Sequence, residues 1–355
     1  MLSVRQQVCL VSSKSIKNIT LKNKVFSFRQ FHSPAKPYRS LTDAQRKLVK
    51  EFNRKVENGE IEFESVSCLC GSTTFDLIAS ADKFSMLQQT VLCTKCGLIQ
   101  SNPRMTQKEY ANFYSSDLYR KCYESEDYIE TYKNKYTEET GQHIYDEISK
   151  IKTIDSDCSV LEVGAGGGWN LLPFIKRGAN VLGIDYSPSL VSLGREHGIN
   201  MVEGDIDVIE GTYDVIIINH VFEHLMNPVN SLKIISKNLK QDGLMYVAVP
   251  NVLNFDMDQL QNAHTYYFIP GSFLHYCSLS GLRSIIHGPA EIIHMFGIFK
   301  YNDSDIIDVD LENNYRETYS HLRKMRFKQY LNIVLSNFHL RKIAGKIFRS
   351  IFPRT

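Results

Sequence analysis

Acidic residues are missing from the first 42 positions, which hold eight Lys or Arg. From Tyr315 to Thr355 they are again scarce, with Glu317 alone among ten Lys or Arg. Yet the formal net charge of the 355-residue chain is only +2. The stretch between the two basic ends is therefore mildly acidic, and the total gives no sign of a nucleic-acid partner. Long apolar runs are also missing. None approaches the roughly eighteen residues that cross a bilayer, and the first apolar segment is too short and interrupted for a secretory signal. A cytoplasmic chain without a transmembrane segment is expected, long enough for one large domain with additions.

Residues 1–40 read as a basic leader without regular structure, with Ser33-Pro-Ala-Lys-Pro37 as a linker. In a eukaryotic chain the same composition would suit a mitochondrial transit peptide. Helical spacing begins at Leu41 and runs through Ala44, Leu48, Phe52 and Val56, with Thr42 or Asp43 as cap. At the other end, Ile343, Ala344, Ile347, Phe348 and Ile351 share one helical face, and Lys342, Lys346 and Arg349 lie opposite. Two readings fit this basic amphipathic tail: a helix packed on the core, or one that lies peripherally on an anionic membrane surface.

Cys68-Leu-Cys70-Gly71 and Cys93-Thr-Lys-Cys96-Gly97 form two cysteine pairs. The second is a knuckle in which glycine lets backbone N–H groups turn toward two thiolates on one metal. The first is one residue short of that pattern. Two pairs at this separation suit a tetrahedral zinc ribbon held by Cys68, Cys70, Cys93 and Cys96. The alternatives are four reduced structural cysteines, or disulfides in an oxidising compartment.

Ser159-Val-Leu-Glu-Val-Gly-Ala-Gly-Gly-Gly168 is the stretch the rest is organised around. Its apolar, β-branched start reads as a buried parallel strand, followed by a glycine turn and a helix over Asn170 to Lys176. A dinucleotide-binding turn needs a third glycine where Trp169 stands. What is present is acid-x-Gly-x-Gly-x-Gly, formed by Glu162, Gly164, Gly166 and Gly168. Further strand ends follow: Asn180 to Asp185, Met201 to Asp205 with Ile206, Tyr213 to Asn219 followed by His220-Val-Phe-Glu-His224, and Leu239 to Pro250-Asn251.

Over roughly residues 140–300, these motifs resemble the class I S-adenosylmethionine (SAM)-dependent methyltransferases. The resemblance implies an α/β fold: a Rossmann-like seven-stranded sheet with helices on both faces. To this the chain would add a small N-terminal zinc-ribbon-like module and a C-terminal basic helical tail. The expected division is 1–40 leader, 41–115 helix and cysteine module, 116–305 methyltransferase domain and 306–355 basic extension. SAM is the implied cofactor. Glu162 is expected to hold its ammonium, Gly164, Gly166 and Gly168 to allow close approach, and Asp185 to accept the ribose hydroxyls. Asp205 and Ile206 would frame the adenine, and Asn219 closes the cofactor set.

The acceptor would lie beyond the strands' C-terminal ends. Ala263-His264-Thr-Tyr-Tyr267 falls there, so His264 is the first candidate for general base and His224 the second. His220, Glu223 and His224 at i, i+3 and i+4 could instead hold a divalent metal on one helical turn, although closing the SAM pocket is the commoner role for this segment. The Cys96-Gly-Leu-Ile-Gln-Ser-Asn-Pro-Arg segment, with Cys68-Leu-Cys70-Gly71 before it and Tyr119-Arg120 after it, resembles bacterial methyltransferases of surface-polysaccharide and lipopolysaccharide synthesis. That resemblance implies O-methylation of a sugar hydroxyl on a small-molecule or lipid-linked glycan. RNA methylation, C-methylation of an oxidised sugar and a non-catalytic scaffold are the alternatives. The missing Asn-Pro-Pro-Tyr after the fourth strand, where Asn219-His-Val-Phe stands, disfavours the first of these.

Overall fold

The structure, a computed structural model, describes residues 20–22, 40–123, 139–254, 259–289, 294–302 and 310–337. Within the basic leader, Thr20–Lys22 forms a strand, β1, and the rest of positions 1–39 lies outside the described residues. Helix α1 (Asp43–Glu57) buries Val49, Phe52 and Val56, and Thr42 caps it. The Thr42 hydroxyl accepts from the Gln45 N–H while Gln45 Oε1 accepts from the Thr42 N–H, so two otherwise orphaned donors satisfy each other.

Strands β2 (Phe63–Glu64), β3 (Thr74–Ala81), β4 (Leu87–Cys93), β5 (Ile99–Ser101) and β6 (Arg104–Met105) follow. β3, β4 and β5 form an antiparallel meander, to which β1 adds in parallel along β3. The four cysteines sit at one end of this meander, before β3 and at the β4–β5 turn. Helices α2 (Gln107–Tyr114) and α3 (Asp117–Tyr123) lead away from it. Tyr128, Tyr132 and Tyr136, expected as helical anchors, lie outside the described residues; Ile144, on helix α4 (Gln142–Ser149), is fully buried.

The second half is built from β7 (Ser159–Val163), α5 (Leu172–Ile175), β8 (Asn180–Asp185), α6 (Pro188–Glu196), β9 (Met201–Glu203), β10 (Tyr213–Asn219), α7 (Pro228–Ser236) and β11 (Leu239–Pro250). After them come β12 (Tyr266–Tyr267), α8 (Pro270–Ser278), β13 (Leu282–Pro289), β14 (His294–Tyr301) and α9 (Leu311–Asn337). Seven of the strands form one sheet in the order β13-β14-β11-β10-β7-β8-β9. The first five in sequence are parallel, and at one edge β14 runs antiparallel between β11 and β13. Alternation along the strands divides the core: Leu161, Ile216, Met245 and Val247 face one apolar cluster, and Val160, Ile217, Tyr246 and Ala248 face the other. Strands buried on both faces need such continuous apolar runs. Strand order reverses between β7 and β10, which opens a crevice at their carboxyl ends.

Two elements from later in the chain pack on the cysteine sheet, one from the expected catalytic domain and one from the basic extension. β12 joins the cysteine sheet, pairing antiparallel with β5 (Tyr266 with Gln100, Tyr267 with Ile99). Helix α9 packs Leu322 and Met325 against Ile78, Leu92 and Ile99 of that same sheet. Its N-terminal turn lies so close to Gly97 that a Cβ there would meet the Tyr315 backbone. The described part of the tail is thus a core-packed helix, while Ile343 to Ile351 lie outside the described residues.

Candidate functional site

The glycine turn after β7 is shaped by backbone that only glycine adopts cheaply. Gly164, Gly166 and Gly168 have φ of 68°, 56° and 76°. A Cβ on Gly164 would run into the Val221 side chain, whereas the space above Gly166 is open. A short 3-10 turn (Trp169–Leu171) precedes α5, so the expected helix over 170–176 is present in broken form. Asp185, at the end of β8, accepts from the Gly166 N–H (2.8 Å) and the Ser187 N–H (2.8 Å), which ties it to the turn. Burial raises its carboxyl above the ordinary value.

Glu162 is 1% exposed. Asn170 Nδ2 donates to its Oε1 (2.7 Å), and its Oε2 is buried without a partner. Burial pushes this carboxyl up to about 8. An orphaned carboxylate oxygen beside an open glycine turn fits an ammonium group, as the methionyl end of SAM requires. Asp205 is exposed and caps the 3-10 turn Ile206–Val208 through the Ile206 N–H (2.7 Å), with Ile206 half-buried beside it. Asn219 is buried at the tip of β10. These residues lie at neighbouring strand ends, as the sequence placed them.

The side expected to meet the acceptor is assembled from distant segments. His220 follows Asn219 with φ of 57°, in the left-handed region, and Phe222–His224 is a 3-10 turn. His220, Glu223 and His224 therefore do not share one α-helical turn. His220 Nδ1 lies 3.3 Å from Glu223 Oε1, and His224 Nε2 3.9 Å from the same oxygen. Burial alone would raise the Glu223 carboxyl, but the His220 hydrogen bond and the charge of both histidines bring it below its ordinary value. His264, 5% exposed, presents its ring edge-on to His224 at 4.8 Å. Burial, then His224, keeps it neutral well below the usual histidine range. The two candidate bases are thus side by side, although forty residues of chain separate them.

Several residues of this wall carried no signal in the sequence. The Tyr114 hydroxyl, from α2, lies 3.0 Å from His224 Nδ1 and donates to the Ala263 carbonyl (2.9 Å). Its ring also meets Tyr186 (5.8 Å), next to Asp185, so one side chain spans both halves of the cleft. Ser101, at the end of β5, holds the His264 carbonyl through Oγ (2.9 Å) and the Thr265 carbonyl through its N–H (3.0 Å). Thr265 in turn donates to the Glu223 carbonyl (2.9 Å). Asp82 accepts from the Phe84, Met86 and Asn262 N–H groups, and burial pushes its carboxyl up to about 6. All of these pairings join residues 42 to 180 positions apart or fix loops that do, and no periodicity marks them.

The four cysteines converge. All four Sγ atoms lie within 4.8 Å of one another, with Cys68–Cys96 at 3.5 Å and Cys70–Cys93 at 3.6 Å. Tetrahedral zinc with bonds of about 2.3 Å separates its sulfurs by roughly 3.8 Å, so the set fits such an ion. The seven described cysteines are all free thiols, so no disulfide forms among them. Hydrogen bonding within the cluster, from Cys68 above all, holds Cys93 well below the ordinary thiol value and Cys70 down to about 7. Tyr276, from α8, adds an O–H donor to Cys96 Sγ (3.5 Å).

Residues 134–288, which contain the glycine turn and both histidines, match the family model described as a methyltransferase domain. Residues 134–288 hold a methyltransferase domain. Curated relatives of this methyltransferase domain include the ubiquinone biosynthesis O-methyltransferase of Xanthomonas oryzae pv. oryzae (strain PXO99A), 28% identical over 102 residues, or 26% of this chain and 43% of that protein. The enzyme of the same name from Colwellia psychrerythraea (strain 34H / ATCC BAA-681) is 26% identical over 31% of this chain and 50% of its own. That from Acinetobacter baumannii (strain ACICU) is 32% identical over 26% and 44%. The chain spans about half the length of the curated relatives it matches. Among solved structures, Burkholderia thailandensis 1,6-didemethyltoxoflavin-N1-methyltransferase, with bound 1,6-didemethyltoxoflavin and S-adenosylhomocysteine, is similar at a TM-score of 0.45 and 16% identity. That comparison covers 58% of this chain and 96% of the other. The cysteine sheet before residue 134 and helix α9 lie outside the residues that the methyltransferase model matches.

Proposed function

We propose that the chain moves the methyl group of SAM to a hydroxyl oxygen, and that the acceptor is a sugar hydroxyl of a surface polysaccharide or its precursor, small or lipid-linked. The observation that carries this reading is the convergence of His224 and His264 on Glu223 at the tip of β10, beside the glycine turn. SAM brings an activated methyl, so the protein's work is to align the sulfonium with the oxygen. In this reading Glu162 takes the ammonium, Gly164, Gly166 and Gly168 let it approach, and Asp185 takes the ribose hydroxyls. Asp205, Ile206 and Asn219 bound the adenine end. His264 receives the hydroxyl proton, with His224 next in line; a placed base contributes about 10²–10⁴-fold.

Structural zinc on Cys68, Cys70, Cys93 and Cys96 belongs to the same proposal, as does peripheral contact of the basic C-terminal segment with anionic lipid. No helix among the described residues is long and apolar enough to cross a membrane. The sugar assignment rests on the resemblance of the cysteine segments; the names of the relatives favour a second acceptor, a hydroxyl on a ubiquinone precursor. Incubation with methyl-labelled SAM and separate pools of nucleotide sugars, lipid-linked glycans, polyprenylated phenols and total RNA tests the choice. Label in either glycan pool supports the sugar reading. Label confined to the phenols or to RNA replaces it.

A further inference from the structure

In the methyl-transfer reading His264 takes the acceptor's proton, yet the hydrogen bonds around its ring leave it no lone pair to offer. Gln261 Oε1 accepts from Lys83 Nζ (2.9 Å), so the amide nitrogen of Gln261 is the end that meets His264 Nε2. That N–H donates, Nε2 accepts, and the neutral ring carries its proton on Nδ1. His224 is turned the wrong way for the task. Its Nδ1–H goes to the Ala263 carbonyl (2.8 Å), which can only accept, and its Nε2 faces Glu223 Oε1 at 3.9 Å. The bare nitrogen of His224 therefore looks at a carboxylate, which has no proton to give up.

His220 is placed differently. The Glu223 carboxyl is 1% exposed, and against that burial the hydrogen bond from His220 and the nearby histidine charge hold it below its ordinary value. It is ionised and can only accept, so His220 Nδ1, 3.3 Å from its Oε1, carries the proton. The lone pair of His220 is then on Nε2, at the other edge of the ring. The side chain is 25% exposed, and Nε2 is not shut away from solvent. The backbone fixes where that edge opens. His220 follows the last residue of β10 with φ of 57°, and its N–H is held by the Ala248 carbonyl (3.0 Å). Its neighbour Val221 lies on Gly164 of the glycine turn. The His294 ring of β14, 4.3 Å away and inclined at 75°, braces the imidazole. A carboxylate that takes the Nδ1–H fixes the tautomer and stabilises the imidazolium formed once Nε2 has taken a proton.

We propose that His220 is the general base of the cleft, with Glu223 as its positioning residue. The assignment rests on the methyl-transfer reading for its reaction. His220 Nε2 takes the proton of the acceptor hydroxyl as the O–CH3 bond forms and the S–CH3 bond breaks, the electron pair of the broken bond staying on sulfur. Glu223 holds the imidazolium until the proton passes to water. His264, which can only donate through Nδ1–H, keeps its place in the wall and gives up the proton-accepting role.

The test has two arms, both on full-length protein. In the first, without acceptor, isotope-labelled histidine rings are read by nuclear magnetic resonance near pH ~8, where an ordinary imidazole is neutral. The signal lost in His220→Gly marks His220. His220 and His264 should both carry their proton on Nδ1, and a His220 ring protonated on Nε2 overturns the assignment. In the second arm, methyl transfer is timed with whichever acceptor pool takes label. Glycine accepts φ of 57° and leaves room for free imidazole, which makes His220→Gly the informative variant. Its kcat should fall by about 10²–10⁴-fold with SAM affinity unchanged, and added imidazole should restore at least about tenfold of that loss. Glu223→Gln should lower kcat by about 10²-fold or more at unchanged KM, a loss that imidazole leaves in place. Undiminished turnover in His220→Gly, or no rescue of it by imidazole, overturns His220 as the base. Rescue of His264→Ala instead returns the role to His264. Nδ1 protonation of His220 with no acceptor pool labelled supports the His220–Glu223 pair and sinks the methyl-transfer reading instead.

Discussion

The two halves of the cleft are built on different principles. On the cofactor side, Glu162, the glycine turn, Asp185, Asp205 and Asn219 all come from one run of chain, each at the end of a strand that pairs with the next. On the acceptor side, His224, His264, Tyr114 and Ser101 come from four segments, held together by hydrogen bonds between residues 39 to 163 positions apart. A site made of successive strand ends is as stable as the sheet. A site whose segments belong to two sheets depends on both, and here the second, which takes in β12 beside β5, is the sheet that carries the cysteines.

The largest effect that can break this contrast is removal of the zinc proposed at the four cysteines. Structural zinc contributes about 10–16 kcal/mol in small modules, and displacement of reacting groups by about 1 Å lowers rates by about 10²-fold. Chelation should therefore abolish methyl transfer and raise hydrogen exchange over 74–101 and 261–268. SAM affinity should stay within about threefold, because the cofactor strands do not use that sheet. Parallel loss of SAM binding would show that the two halves are one cooperative unit.

Asp185→Ala attacks the other side. It removes the acceptor for two turn N–H groups and the one proposed for the ribose, and a charged hydrogen bond contributes about 1.5–3 kcal/mol. Calorimetry should show SAM affinity lower by roughly ten- to a hundredfold, with hydrogen exchange of the cysteine sheet unchanged. A smaller loss than tenfold would take the ribose away from Asp185.

Glu162 sharpens the comparison through pH. Its carboxyl is pushed up to about 8 by burial, so below that pH it is protonated in the empty site and must lose the proton to meet the ammonium. SAM affinity should then rise by up to about tenfold per unit as pH approaches 8. Above about 8 the cofactor's own amine deprotonates and affinity falls. Glu162→Gln should lack the rising limb; a wild-type affinity that is flat from pH 6 to 8 would contradict this role.

Tyr114→Phe should have the smallest effect. It removes one hydroxyl that links His224 and Ala263, and a neutral hydrogen bond contributes about 1 kcal/mol. Turnover should fall about fivefold with SAM affinity unchanged. A change in affinity instead would assign Tyr114 to the cofactor side, through its contact with Tyr186.

The contrast also marks what could be read in advance. The strands were legible because burial on both faces demands unbroken apolar runs, and their ends were legible because a tight turn demands glycine or an acid at fixed places. The cysteine pairs were legible for the same local reason. β12 was not: two tyrosines inside a polar stretch become a strand only because β5 offers them an open edge. The leader was expected without structure, yet Thr20–Lys22 pairs along β3 in the same way.

By itself, then, the sequence determined a seven-stranded α/β sheet, the glycine turn after its first strand and the four thiols able to share an ion. These depend on neighbours within a few residues, whose backbone angles and burial patterns are written locally. Tertiary structure alone decided that His264 stands beside His224, that His220 leaves the shared helical turn, and that Ser101 and Tyr114 hold the wall in place. Those outcomes depend on which sheet edge is free, on φ of 57° at one residue, and on hydrogen bonds whose partners are far apart in the chain.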